Sequence, residues 1–241
     1  MRYGIYSDIH ANLEALQAVL ETFEKENVDQ YICLGDIVGY GANPRECLQL
    51  VLEYNSLVVA GNHDYAIAEK LNIDFFNQFA KEAVLWTRDQ LSDKERQFLR
   101  NLDLVKKVED VLTMVHGTLN FPEMFEYIQT SYDAHLTLEL LETPICFLGH
   151  SHVPVSFFQG TTITFSMDEE ISTSKDNKVL VNVGSVGQPR DENPLASCAV
   201  YDDEAEKVWI HRVEYDIETA IEKIIRAGLP DILAERLRYG R

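Results

Sequence analysis

The chain has 241 residues, 46% of them apolar and 25% charged, with 12 Gly and 7 Pro. This excludes a disordered or collagen-like polymer and is enough to bury a sizeable core. The formal net charge is −19, from 21 Lys and Arg against 40 Asp and Glu, and such a surface excludes a function built on non-specific contacts with nucleic acid or anionic lipid.

The first ten residues, MRYGIYSDIH, lack a long apolar run and read as a strand, not a signal peptide. No stretch approaches the ~18 apolar residues of a membrane span. Strands are expected at 2–7, 30–34 and 56–60, with amphipathic helices at 12–26 and 44–54 between them. This βαβαβ order predicts a parallel sheet with right-handed crossovers. Residues 64–102 read as helical, with apolar faces from Phe75, Phe76, Phe79, Val84, Leu85 and Trp86. They form either a lid or plain core. Residues 103–117 read as two strands around a turn at Glu109 and Asp110, and 131–142 as a helix. Further strands are expected at 145–149, 153–159, 161–166, 178–183, 196–202 and 206–214, with 168–178 as a polar loop or β-turn region. Helices at 216–226 and 230–238 close the chain, with Asp216 as a cap for the first. The expected fold is α/β (α+β), a four-layer α/β/β/α sandwich with two packed mixed β-sheets. Residues 1–241 are expected to form one domain, with a helical insertion at about 64–102. Cys33, Cys47, Cys146 and Cys198 form no Cys-x-x-Cys pair and read as reduced core thiols of a cytoplasmic protein.

The polar residues that do not fit a core collect after the strands. Asp8 and His10 follow the first, Asp36 the second, Asn62 and His63 the third. His116 and the pair His150 and His152 follow two later strands. These ends of parallel strands are where open α/β sheets build their sites. Five of the seven His lie in these clusters; His135 and His211 have no motif around them and read as structural. His, Asp and Asn without Cys suit borderline-hard divalent metals such as Mn, Fe, Zn, Co or Ni.

In order, Asp8-Ile-His10, Gly35-Asp-Ile-Val-Gly39, Gly61-Asn-His-Asp64, Val115-His-Gly117 and Gly149-His-Ser-His152 resemble the calcineurin-like metallophosphoesterase superfamily. The run Asn182–Arg190 is similar to a segment of its smaller bacterial and archaeal members, including diadenosine tetraphosphatase-like relatives. The resemblance implies two divalent metal ions. Asp8, His10 and His152 would hold the first, Asn62, His116 and His150 the second, and Asp36 would bridge both, with a metal-bridging water or hydroxide as the nucleophile. His63 would be the catalytic proton donor at the leaving group, worth ~10²–10⁴ in rate. A retromer subunit of this fold lacks the motif's His and serves as a scaffold; with His63 present, an enzyme is expected here.

Protein phosphatases of the superfamily extend the second motif to GDxVDRG, whereas this chain has Gly39 and Tyr40 at the Asp and Arg. That disfavours a protein phosphatase and leaves the substrate contact to other groups. Arg190 either grips phosphate or pairs with Asp191 or Glu192. Asn12 either touches phosphate or caps the first helix. Tyr40 either stacks on a nucleobase or packs on the sheet edge. Asp64 either orients His63 or caps a helix. The function expected is hydrolysis of a small phosphodiester or phosphoanhydride, such as a dinucleoside polyphosphate. A non-catalytic metal-binding scaffold is the alternative. The expected partner is a small phosphorylated substrate, with no long nucleic acid and no membrane; the oligomeric state stays open.

Overall fold

The computed structural model describes residues 1–174 and 176–241. Twelve strands among them form two six-stranded sheets. In the first, β1 (Arg2–Tyr6), β2 (Gln30–Cys33) and β3 (Leu57–Val58) are parallel, joined by α1 (Leu13–Lys25) and α2 (Pro44–Glu53). β11 (Ala196–Asp202), β12 (Lys207–Val213) and β9 (Glu170–Ser172) extend this sheet antiparallel, in the order β3-β2-β1-β11-β12-β9. The second sheet has a parallel centre of β5 (Leu112–Val115), β6 (Ile145–Leu148) and β10 (Val179–Asn182). β4 (Val105–Val108), β7 (Val155–Phe158) and β8 (Thr164–Ser166) complete it antiparallel.

The central strands are apolar on both faces because both faces are covered. Along β1, Tyr3 and Ile5 turn toward the second sheet, while Tyr6 turns toward Leu16, Val19, Leu20 and Phe23 of α1. Along β6, Ile145 and Phe147 meet that inter-sheet core, and Cys146 and Leu148 pack under Ala134 and Leu138 of α6 (Ser131–Leu140). The strict period of two therefore sorts one sequence into two cores, giving the α/β/β/α layering. All four cysteines are buried and free. No helix among the described residues is long and apolar enough to cross a membrane.

Two expectations change. Residues 64–102 divide into α3 (Asn62–Ile67), α4 (Gln78–Gln90) and α5 (Asp93–Arg100), with an irregular segment at 68–77. The breaks are chemical: Asn77 caps α4 through Ala80 N, and Ser92 with Glu95 forms a capping box for α5. The polar stretch 168–178, of which residue 175 lies outside the described residues, contains strand β9. Ile171 is its one buried side chain, 2% exposed and seated in the inter-sheet core opposite Val208, and Glu170 pairs with Lys207 beside it. A single apolar residue in a polar run supplies too little pattern for a strand, yet enough burial to hold an edge. At the C-terminus, α7 (Ile217–Arg226) is capped by Asp216 as expected, and α8 (Asp231–Glu235) runs into a helical turn, Arg236–Arg238.

Candidate metal centre

The carboxyl ends of β1, β2 and β3 in one sheet and of β5 and β6 in the other converge on one spot. Asp8, His10 and His152 come together there with donor atoms within 4.8 Å of one another, and so do Asp36, His116 and His150. Asp36 lies between the groups: its Oδ2 is 3.6 Å from His10 Nε2 and 3.4 Å from His116 Nε2. The expected ligand set is thus gathered at one place, with Asn62 beside it.

The backbone is shaped around these side chains. Asp8, His10, Asp36, His150 and His152 all have left-handed φ, between 48° and 67°. Each such residue costs roughly 1–2 kcal/mol, and the cost is carried by bonds that fix the turns. Asp8 N donates to Gly35 O at 3.0 Å, His10 N to Asp36 O at 2.9 Å, and Gly187 N to Asp8 O at 2.9 Å. Gly149 lies so close that an added Cβ would be 2.0 Å from Ser7 Oγ and 2.4 Å from Asp8 Oδ2. Only glycine lets the β6 turn approach the β1 turn this closely.

Two imidazoles are oriented from behind. His116 Nδ1 donates to Leu34 O at 2.8 Å and His152 Nδ1 to Gln188 O at 2.6 Å. A carbonyl can only accept, so both Nε2 atoms face the centre. There they meet carboxylates: His152 Nε2 is 3.2 Å from Asp8 Oδ1, and His116 Nε2 is 3.9 Å from it. Asp8 Oδ1, Asn62 Oδ1 and His116 Nε2 are buried without hydrogen-bond partners. Acceptors aimed at acceptors in a dry site need cations or protons between them. The oxygen and imidazole donor set fits divalent metal ions.

The electrostatics show the same demand. Burial pushes the Asp36 carboxyl up, but His116, His63 and His10 override it and hold it well below the usual range. Asp8 is likewise raised by burial and brought low by His152 and His116. Burial depresses His116, yet Asp36 and Asp8 lift it to about 9. Burial takes His150 down to about 3 and His63 down to about 4.

His63 lines the cleft and also lies at the centre, with His10, Asp36 and His63 donor atoms within 4.8 Å of one another. Its backbone N–H donates to Asp36 Oδ1 at 2.8 Å, and its Nδ1 is buried without a partner. Phe76 packs on its ring at 5.1 Å. Asp64 does not touch the imidazole. Its carboxylate accepts from Asp36 N at 2.8 Å, Ile37 N and Gly61 N at 3.0 Å and Val38 N at 3.4 Å, tying the second motif to the third. Asp64→Ala strips the acceptor from these buried N–H groups. Since one unmet buried donor costs about 1–3 kcal/mol, the expected loss is about 3 kcal/mol or more in urea unfolding, with Asp64→Asn losing less.

The proposed substrate contacts divide. Arg190 does not pair with Asp191 or Glu192, which bind Arg212 and Arg241. It borders the cleft, bonds Gln188 Oε1 at 2.9 Å and lies over Tyr40. Asn12 is a structural residue: its Oδ1 caps α1 through Ala15 N at 3.2 Å, and its Nδ2 is spent on Gly187 O at 3.0 Å. Tyr40 borders the cleft but is packed into its wall. It is 7% exposed, with its ring packed against His63 at 4.4 Å and His10 at 4.6 Å and Arg190 over it. The surface that meets solvent is made elsewhere. Phe75, 95% exposed, and Phe76 border a cleft of about 590 Å3 from one side; Met124, Phe125 and Tyr127 border it from the other. Tyr127 stacks on His150 at 4.0 Å with an 8° interplanar angle. Sequence reasoning missed it because the 117–130 loop has neither periodicity nor motif. Trp86 packs against α7 and α8, so the aromatic segment is wall at Phe75 and Phe76 and core at Trp86. His135 sits far from the cluster and pairs with Glu139 along its helix.

Comparison with known proteins places this geometry. An uncharacterized protein of Methanocaldococcus jannaschii is 41% identical over 99% of this chain and 98% of its own length. The phosphodiesterase YfcE of Escherichia coli is 24% identical over 81% of this chain and 85% of its own. The crystal structure of a metallophosphoesterase from Sphaerobacter thermophilus superposes with a TM-score of 0.88 at 40% identity, covering 100% of this chain and 99% of that one. The family model described as the calcineurin-like phosphoesterase superfamily domain matches residues 1–206, a span that holds every motif at the two convergent sheet edges. The chain is a member of the calcineurin-like phosphoesterase superfamily.

Proposed function

We propose that this chain is a hydrolase that cleaves small phosphodiesters or phosphoanhydrides with two divalent metal ions. The observation that carries the reading is Asp36, grouped with His116 and His150 and also with His10, in a buried site beside an open cleft where Asp8 Oδ1, Asn62 Oδ1 and His116 Nε2 have no hydrogen-bond partner. Asp8, His10 and His152 would hold one ion, Asn62, His116 and His150 the other, with Asp36 shared. Ions bound there supply Lewis acidity toward phosphoryl oxygens and lower the pKa of bound water.

The chain's own groups do the rest. Leu34 O and Gln188 O fix two imidazoles, so little reorganisation is needed on binding. Arg190 lies at the cleft edge with Nε buried and partnerless, suited to a phosphoryl oxygen. His63 offers a ring nitrogen to the leaving oxygen as charge develops there. The apolar walls at Phe75, Phe76 and Tyr127 favour an ester carrying a flat organic group over a bare phosphate. The relation to YfcE, named a phosphodiesterase, points the same way. The −19 charge is compatible with this, because only Asp8 and Asp36 among the acids belong to the ligand set, and two dications outweigh them.

The test is a substrate panel with Mn2+. Bis(p-nitrophenyl) phosphate should be cleaved at least about tenfold more efficiently than p-nitrophenyl phosphate, a difference of ~1.4 kcal/mol in transition-state binding. Equal or reversed efficiencies would reject the diester preference, and no cleavage of either ester would reject the enzyme reading.

A further inference from the structure

The C-terminal turn brings a second guanidinium to the residue that holds Arg190. Arg236 Nη1 donates to Gln188 Oε1 at 3.1 Å, the same oxygen that accepts from Arg190 Nη2 at 2.9 Å. Two cations thus share one neutral acceptor, in a chain with almost twice as many acids as bases. Among the described residues, neither guanidinium meets an Asp or Glu side chain, whereas Arg238, Arg241 and Arg212 nearby all do. Arg236 Nε is held by the backbone oxygen of Arg241. Glu192 N donates to Gly240 O at 2.9 Å, pinning this turn to the loop that carries Gln188 and Arg190.

Arg236 borders a cavity of about 270 Å3 that it shares with Tyr40 and Asn77. Both of those residues also border the metal-centre cleft, where Arg190 stands. The two spaces therefore share Tyr40 and Asn77 as walls. Like charges held on one neutral oxygen without an Asp or Glu side chain are unfavourable unless an anion completes them. Burial and Arg190 together depress the Arg236 guanidinium, in keeping with a missing counter-charge. Arg236 lies beyond residues 1–206, so the family pattern assigns it nothing.

We propose that Arg236 and Arg190, spaced by Gln188, form an anion subsite that takes a second phosphate of the substrate while the first lies at the metal centre. The substrate class is then a compound with two linked phosphoryl groups, a phosphoanhydride rather than a lone diester. This rests on the phosphoesterase reading for the position of the first phosphate, and its test does not need turnover. Calorimetric titration of the Mn2+-loaded protein compares inorganic pyrophosphate with inorganic phosphate. Wild type should bind pyrophosphate at least about tenfold more tightly, the scale of one charge-assisted bond pair. Arg236→Gln should erase most of that advantage and Arg236→Lys should keep part of it. Equal affinities in wild type, or an Arg236→Gln loss that is the same for both anions, would overturn the subsite. Either result stands apart from ester hydrolysis, whose failure would reject the enzyme reading instead.

Discussion

His63→Ala should lower kcat by about 10²–10⁴-fold, the usual worth of a positioned proton donor, while metal content stays at the wild-type level. The geometry separates the two effects. The bond that ties this residue to Asp36 runs from its backbone N–H, which alanine keeps. The imidazole itself contacts Tyr40, His10 and Phe76 and leaves Nδ1 without a partner. Steady-state kinetics with metal analysis on the same sample decide it. A kcat within about threefold of wild type would end the proton-donor role. His63→Asn, which fills part of the space, distinguishes lost chemistry from a collapsed wall.

Asp36→Ala should act on the metals instead. On the proposed reading this carboxylate would serve both ions, and its Oδ1 also accepts from His63 N. Alanine leaves His10 and His116 with Asp8 Oδ1 alone, 3.8 and 3.9 Å away, as the carboxylate near both. Loss of partners one step removed from an ion already costs about 10–100-fold in affinity, so removal of the shared ligand should cost at least ~100-fold and take the activity with it. Competitive titration with a chelating dye measures the affinity. Unchanged metal binding would show that the two groups do not depend on Asp36.

The layers of the fold were legible because the central strands are short, apolar and separated by amphipathic helices. The ligand clusters were legible because each follows a strand and carries residue types that a core rejects. Less local features were not. Tyr127 reaches His150 through an irregular loop, and nothing in its neighbours marks that contact. Asn12 reads either as a phosphate contact or as a cap, and only the structure shows that a cap and a loop tie use both ends of its amide. Tyr40 reads as stacking on a base or packing on the sheet edge; with a left-handed φ of 59° and 7% exposure it is packed against His10 and His63, contacts that no local pattern marks. Arg236 comes from the far end of the chain, and only tertiary structure sets it on Gln188 beside Arg190.

The central claim is that hydrolysis depends on ions held by the Asp8, Asp36 and histidine cluster. The direct measurement strips the protein with chelator, adds Mn2+ in steps and follows bis(p-nitrophenyl) phosphate cleavage against bound metal. Activity should be absent in the stripped protein, rise in step with occupancy and level off at two ions per chain. Full activity in the presence of excess chelator, with no metal bound, would contradict it.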